Sequence, residues 1–319
     1  MILQIIIALV AIMAWVGITA LVMVWVERKG AGYIQLRPGP FEVGPQGALQ
    51  PLVDGIKLMC KQLFIPETSD RVLFVFAPIL SFLPVFLLFS VLPYGPILVS
   101  QDTNLAILLI LAFAGFNVLA VMLAGWAQNN KWGLLGAARA VAQNVAYEIP
   151  LLLSVLAITF MTGSLSLVEI TNGQGGWPWQ WNVIYQPIAF IIFIIAAVGE
   201  TNRAPFDLAE AESELTAGFH TEYSSMGFGL FFMAEYAYMM VVASVATVLF
   251  LGGYKGPFGT DGWWWFVPKA YAIMFFIVWI RWTYPRVTFA HLLNVNWKWL
   301  LPLATLNLLG TAFFMKLFA

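Results

Sequence analysis

The sequence predicts an all-α polytopic membrane protein, a single integral membrane domain over residues 1–319, with eight transmembrane helices and one amphipathic helix at the cytoplasmic membrane surface. Three observations carry this. Of 319 residues 61% are hydrophobic and only 10% charged, against about 25% charged in soluble proteins. Apolar runs of about 20 residues, the length that crosses hydrocarbon, recur along the chain. Basic residues sit where those runs end and form no patch, which with a net charge of −1 argues against a nucleic-acid partner.

The first span is expected from Met1 to Val26, closed by Glu27-Arg28-Lys29 as a stop-transfer boundary. Its apolar start has no basic leader and no small-residue cleavage site, so a cleaved signal peptide is not expected. From Gln46 to Phe64 the pattern changes. Leu49, Leu52, Val53, Ile56, Met59, Cys60 and Leu63 recur at helical spacing, with Asp54, Lys57 and Lys61 on the other side. This helix is too short and polar to span, and is expected along the interface with its lysines towards headgroups or a partner. Further spans are expected at Val72 to Leu92, Leu105 to Trp126, Val141 to Met161, Val183 to Val198, Met226 to Phe250, Trp264 to Trp282 and Trp297 to Leu317. The fifth is short, and a broken or tilted helix is expected there.

Eight spans give a consistent orientation. Of the 15 Lys and Arg residues, Lys255, Lys269 and Lys316 fall on one side and the rest on the other. The positive-inside rule then puts both termini outside. Trp177, Trp179, Trp181 and Trp263 to Trp265 occupy the outer loops, where interfacial aromatic belts belong.

Composition also limits the chemistry. Cys60 is the sole cysteine, which excludes an internal disulfide and a cysteine-ligated metal cluster. With only His220 and His291, a bis-histidine haem would need both to converge. No phosphate-binding glycine loop appears. No metal, cofactor or redox centre is therefore expected in this chain.

The polar residues concentrate in residues 199–225, GETNRAPFDLAEAESELTAGFHTEYSS, an acidic cytoplasmic loop between two apolar runs. Asp207 is placed to begin a helix, with Glu210 completing a capping box. Asp207, Glu210 and Glu214 would share one face while Glu212 looks elsewhere. Like charges so close call for a basic partner, for which Arg203 and Arg139 are candidates. A carboxylate cluster suits hard cations, but this spacing matches no metal loop. Glu235, the eighth residue of FGLFFMAEYAYMMVV, and Glu148, in VAQNVAYEIPLLLSV, are acids inside apolar runs. Such residues face a bundle interior or a water-filled path. Proton handling is the expected role, with a hydrogen-bonded structural acid as the alternative.

The stretch ETNRAPFDLAEAESELTAGFHTEYSSMGFGLFFMAEYA closely resembles the signature of the H subunit, a membrane subunit, of respiratory NADH:quinone oxidoreductase, complex I; its mitochondrial counterpart is called subunit one. VERKGAGYIQLRPGP, GALQPLVDGIKLMCKQLFIP, NNKWGLLGAARAVAQNVAYEIP and WKWLLPL extend the likeness over nearly the whole chain. The resemblance implies a subunit without a cofactor of its own that forms the membrane part of a quinone chamber. Quinone is then the substrate, and FMN and iron–sulfur clusters belong to partner subunits. Electron transfer from NADH to quinone would drive outward proton translocation in a bacterial inner membrane. Implied partners are the peripheral iron–sulfur and quinone-site subunits, small and antiporter-like membrane subunits, and lipids. By the same resemblance Arg28 and Arg203 lie near the chamber, joined among the expected quinone-binding residues by Lys57 and Glu200. Asp207, Glu210, Glu212 and Glu214 would form the acidic loop that responds to quinone reduction. Glu148 and Glu235 would lead from the chamber towards the antiporter-like subunits. Related subunits occur in ion-pumping hydrogenases and formate hydrogenlyases, the alternative reading, and partner composition separates the two. Two departures from the family pattern are Glu42 in place of an arginine and Ala290 in place of an aspartate.

Overall fold

The computed structural model describes residues 2–96, 98, 102–207 and 216–318. Among these there is no strand, and the helices are α1 Ile2–Ile34, α2 Gln50–Cys60, α3 Arg71–Leu88, α4 Ala106–Ala127, α5 Lys131–Thr162, α6 Leu167–Gly173, α7 Asn182–Tyr185, α8 Pro187–Glu200, α9 Ser225–Phe250, α10 Trp263–Thr283, α11 Phe289–Val295 and α12 Leu301–Phe318. A π-helical turn over Asn296–Leu300 joins α11 to α12 into one apolar rod. Seven helices are long and apolar enough to cross a membrane, and α8 is a shorter apolar helix of 14 residues. The all-α polytopic reading holds. The expected eight spans appear as seven full-length helices and one short one.

Local chemistry sets the ends. Asp70 accepts from the backbone N–H groups of Val72 and Leu73 at the start of α3, and Asn130 accepts from Trp132 N–H at the start of α5. Gly163, at φ 70°, closes α5 in the left-handed conformation that glycine adopts without cost. The fifth span is broken as expected. Gln186 separates α7 from α8, and its side-chain amide bonds Thr311 at 2.9 Å and Asn307 at 3.1 Å, both on α12.

Two expected boundaries need correction. The first span does not stop at Glu27-Arg28-Lys29: α1 continues to Ile34. Glu27 is buried there because two arginines neutralise it, so its charge no longer forces the chain into water. The fourth helix begins at Lys131, ten residues before the apolar run. Its early turns are small residues packed against neighbours. A Cβ on Gly136 would meet the backbone of Gly218 at 2.6 Å, so only glycine lets residues 218–220 seat against α5.

The core is α9. It is apolar all round, the pattern of a helix enclosed by others, and 83% of its most apolar window is buried. Its C-terminal carbonyls, which have no partners within the helix, are taken up by side chains from elsewhere. Gln174 donates to Val248 O at 2.8 Å and Asn182 to Leu249 O at 2.8 Å. Lys269 Nζ donates to Leu251 O, Gly253 O and Lys255 O at 2.8, 3.1 and 2.8 Å. All three ammonium protons are used, and the Trp181 ring lies 4.6 Å away. Lys269→Met is expected to lower the stability of the purified protein by at least ~2 kcal/mol, since hydrogen bonds to charged groups each contribute ~1.5–3. Thermal unfolding in detergent, with Lys269→Arg as a partial-rescue control, checks this.

Candidate functional site

Four elements bring charged groups together at one end of the bundle. α1 supplies Glu27, α9 supplies Glu235 and Tyr236, α10 supplies Arg281, and the segment after α8 supplies Arg203. Arg203 Nη1 lies 3.3 Å from Glu27 Oε2, and Nη2 lies 3.4 Å from Glu235 Oε2. Arg281 pairs with the other Glu27 oxygen. The Tyr236 hydroxyl donates to Glu27 Oε2 at 2.7 Å, and its ring lies 4.3 Å from the Arg203 guanidinium carbon. Two acids balance two arginines, the arrangement that makes charge tolerable away from water.

The burial is deep. Arg203 and Glu27 side chains are 5% and 7% exposed, and Glu235 is 23% exposed. Burial alone would lower the Arg203 pKa, but Tyr236, Glu27 and Glu235 outweigh it and push it above its ordinary value. Arg203 is thus a fixed cation. Its Nε and Nη2 groups nevertheless donate no hydrogen bond to protein among the described residues. It is a buried arginine with donors to spare.

Asp207 lies beside this cluster. It is buried, and its Oδ2 accepts from Arg286 Nη2 at 3.4 Å. The sequence suggests Arg203 or Arg139 as a basic partner within the acidic loop. Among the described residues Asp207 itself contacts Arg286, which the 205–207 segment approaches because Val287 N–H bonds Pro205 O at 3.1 Å. Burial pushes the Asp207 carboxyl above its ordinary range, opposed by Arg286, Arg281 and Arg203 and reinforced by Glu235. Glu210, Glu212 and Glu214, with the expected helix starting at Asp207, lie outside the described residues.

A second acidic group occupies the other side of α9. Tyr238 follows Tyr236 by two residues, about 200° around a helix of 3.6 residues per turn. Its hydroxyl donates to Glu200 Oε1 at 2.6 Å, at the end of α8. Glu200 Oε2 is buried with no protein partner among the described residues, and Glu148 of α5 is close enough for the two acids to interact. Gln143, one turn before Tyr147 on α5, donates to Gly199 O at 2.8 Å and Asn202 Oδ1 at 3.1 Å, holding this end of α8 in place.

Arg28 and Lys57 are not brought to either group. Arg28 pairs with Asp54 of α2, which Gln50 also bonds, and Lys57 is exposed on the same helix. Burial would raise the Asp54 carboxyl, but the hydrogen bonds and charges of Arg28, with Gln50 and Lys57, hold it below its ordinary value. The pair fastens α2 to the end of α1. Ser225 adds a hydrogen bond to Lys61 O at 2.6 Å, and Ser224 accepts from Phe64 N–H at 3.2 Å. Leu52, Ile56 and Met59 stay exposed, so the apolar stripe of α2 is turned away from the bundle.

Sequence reading missed Glu27, Arg281, Tyr236 and Tyr238. The tyrosines flank an acid already singled out, and Glu27 is an acid in a run that stays free of proline to Ile34. Those were the available signals. Among the described residues no group of three or more His, Cys, Asp or Glu side chains is placed to hold a metal ion.

Fold and site together define a polytopic helical membrane subunit with a charge-balanced polar interior. Comparison with known proteins is specific. The family model described as NADH dehydrogenase matches residues 6–312. The chain is 51% identical to the H subunit of the NADH-quinone oxidoreductase of Desulfotalea psychrophila, across 98% of this chain and 96% of that protein. It is 46% identical to the H subunit from Dehalococcoides mccartyi, across 96% and 85%, and 40% identical to that of Carboxydothermus hydrogenoformans, across 98% and 89%. The chain belongs to the family of NADH-quinone oxidoreductase H subunits.

Two outcomes are expected. Glu27→Gln leaves the buried Arg203 and the partly exposed Arg281 under-compensated and is expected to destabilise the protein by about 3–5 kcal/mol, the cost of breaking a buried ion pair from one side; chemical denaturation in detergent measures it. Asp54, whose folded-state pKa is lowered, stabilises the α1–α2 junction above its unfolded value of about 3.9 and loses that contribution as pH falls through the folded value. Protection of the amides of residues 50–64 against hydrogen exchange, taken relative to the intrinsic rate at each pH, is therefore expected to be high at neutral pH, lower in acid, and already low at neutral pH in Asp54→Asn.

Proposed function

We propose that this chain forms the membrane wall of the quinone chamber of NADH:quinone oxidoreductase and couples quinone reduction to proton translocation. The observation that carries the reading is Arg203, a fully charged guanidinium 5% exposed, whose Nε makes no hydrogen bond among the described residues, in a cluster of two acids and two arginines. Family membership supports it: the relatives are named for a reaction between NADH and a quinone.

Reducing a quinone to a quinol takes two electrons, which arrive through iron–sulfur and flavin groups held by partner subunits, and two protons. A negative charge or a lost proton beside Arg203 unbalances the Glu27–Arg203–Glu235–Arg281 set. Glu235 is more exposed than Glu27, so a proton reaches it with less rearrangement. It is the acid we assign to take up or release the compensating proton. A shift of Tyr236 or Glu235 is carried along α9 to Tyr238, on the face that meets Glu200 and Glu148. Asp207, with Glu210, Glu212 and Glu214 beyond it, would sense the chamber from the loop. Arg28 and Lys57 would act at the edge of the chamber by holding α2 across the entrance. Partners are the peripheral iron–sulfur and quinone-site subunits, and the small and antiporter-like membrane subunits that carry the protons. The charge asymmetry of the loops supports an inner-membrane orientation with both termini periplasmic.

The test uses the intact complex in inverted membrane vesicles. Glu235→Gln keeps the shape and removes the titratable group. NADH-driven quinone reduction and proton uptake are expected to fall together by at least ~10-fold, the lower range for loss of a proton-transfer group being about 100-fold. Electron delivery from NADH to an artificial acceptor reduced upstream of the membrane should be unchanged. Unchanged quinone reduction and pumping in Glu235→Gln would sink the coupling role. A purified complex with a nickel–iron hydrogenase protein in place of an NADH-binding module would sink the quinone reading.

A further inference from the structure

A groove of about 730 Å³ opens on the outside of the bundle between α8 and α10. Ile195 and Val198 line one wall, Phe276 and Trp279 the other, and Phe206 and Tyr284 close its charged end. It exists because α8 is short. Its 14 residues rise about 21 Å, against a hydrocarbon thickness of about 30 Å. Below its end the chain turns inward with Arg203.

The groove ends beside an ion pair. Phe206 is followed by Asp207, and Tyr284 lies two residues before Arg286, so the Asp207–Arg286 pair sits next to the lining at this end. Arg286 is 47% exposed and makes one hydrogen bond among the described residues, to Asp207 at 3.4 Å. At that exposure the rest of the guanidinium is open to a ligand, and its fork of donors suits phosphate oxygens. Trp279 and Tyr284 are 54% and 64% exposed, amphipathic rings at the level where hydrocarbon meets headgroups.

We infer that this groove is a binding site for an anionic phospholipid, with one acyl chain between α8 and α10 and the headgroup phosphate on Arg286. Charge complementarity favours it: the phosphate supplies what a half-satisfied arginine at the bilayer surface lacks. Size agrees, since sites for small molecules hold about 300–1,000 Å³. A partner's transmembrane helix would cover the apolar wall but would not match the open side of the Arg286 guanidinium. The site is separate from the buried arginine cluster and stands whether or not the quinone reading does.

The experiment uses the intact complex in nanodiscs doped with phosphatidylglycerol or phosphatidylcholine bearing the same diazirine acyl chain. After irradiation, labelled peptides are identified by mass spectrometry. Phosphatidylglycerol is expected to label residues 187–200 and 263–283 about tenfold more than phosphatidylcholine, which carries the same phosphate but brings a quaternary ammonium against the Arg286 charge. Arg286→Gln should erase the preference. Ile195→Trp, which fills the groove and leaves the ion pair intact, should erase labelling there in an assembled complex. Equal labelling by the two lipids, labelling that survives Ile195→Trp, or no lipid label on these helices while a partner protein cross-links to them would each overturn the proposal. If a variant fails to assemble, the comparison of the two lipids on the wild-type complex decides.

Discussion

Neutralising Arg203 is the constraint on which the rest of the molecule depends. The residue is buried at the end of the short α8, where no solvent screens it. Glu27 and Glu235 therefore have to meet it from two other helices, and Arg281 meets the other oxygen of Glu27 from a third. Each is tied in turn. α1 runs past its apolar stretch so that Glu27 reaches the cluster, and Tyr236 turns its hydroxyl to Glu27 and its ring face to Arg203. Replacing a buried ion set by apolar side chains is often neutral or stabilising. Stability alone is thus a poor reason for placing these groups here, which is why the cluster reads as a working site.

α9 converts this local balance into an architecture. Its one turn from Glu235 to Tyr238 presents polar groups on two opposite faces, one towards α1 and α10, the other towards α8 and α5. Beyond Tyr238 the helix is apolar and enclosed, and side chains from α6, α7 and α10 take up the carbonyls at its far end. Charge can thus be handled at one end of the helix, while the other is pinned as a fixed support.

Much of this was legible in the sequence, and the misses share one cause. Apolar runs and their flanking charges gave the helices, the amphipathic α2 and the broken fifth span, because each depends on local pattern. Glu235, Glu200, Arg203 and Asp207 stood out because acids and arginines are scarce in an apolar chain. The partners did not. Glu27 is 176 residues from Arg203, and Arg281 is 254 from Glu27. Beside Arg28 and Lys29 an acid looks like part of a boundary, and Arg281 looks like an ordinary positive charge at a helix end. Only tertiary packing distinguishes a charge that ends a helix from one that is neutralised within the bundle. The same holds for Arg286, whose pairing with Asp207 follows from a backbone contact between Val287 and Pro205.

The short helix α8 explains how such a site can exist inside an apolar protein. Irregular backbone at membrane depth is tolerated only where protein or an aqueous cavity satisfies it. A full-length α8 would carry Thr201, Asn202 and Arg203 out to the surface. At 14 residues it releases them while still within the bundle, and Gln143 holds the release point through Gly199 O and Asn202. The shortfall also leaves a groove on the outside, beside α10. One departure from regular helix length thus sets both the buried arginine and the exposed cleft, so shifting the end of α8 outward by a turn would abolish both together.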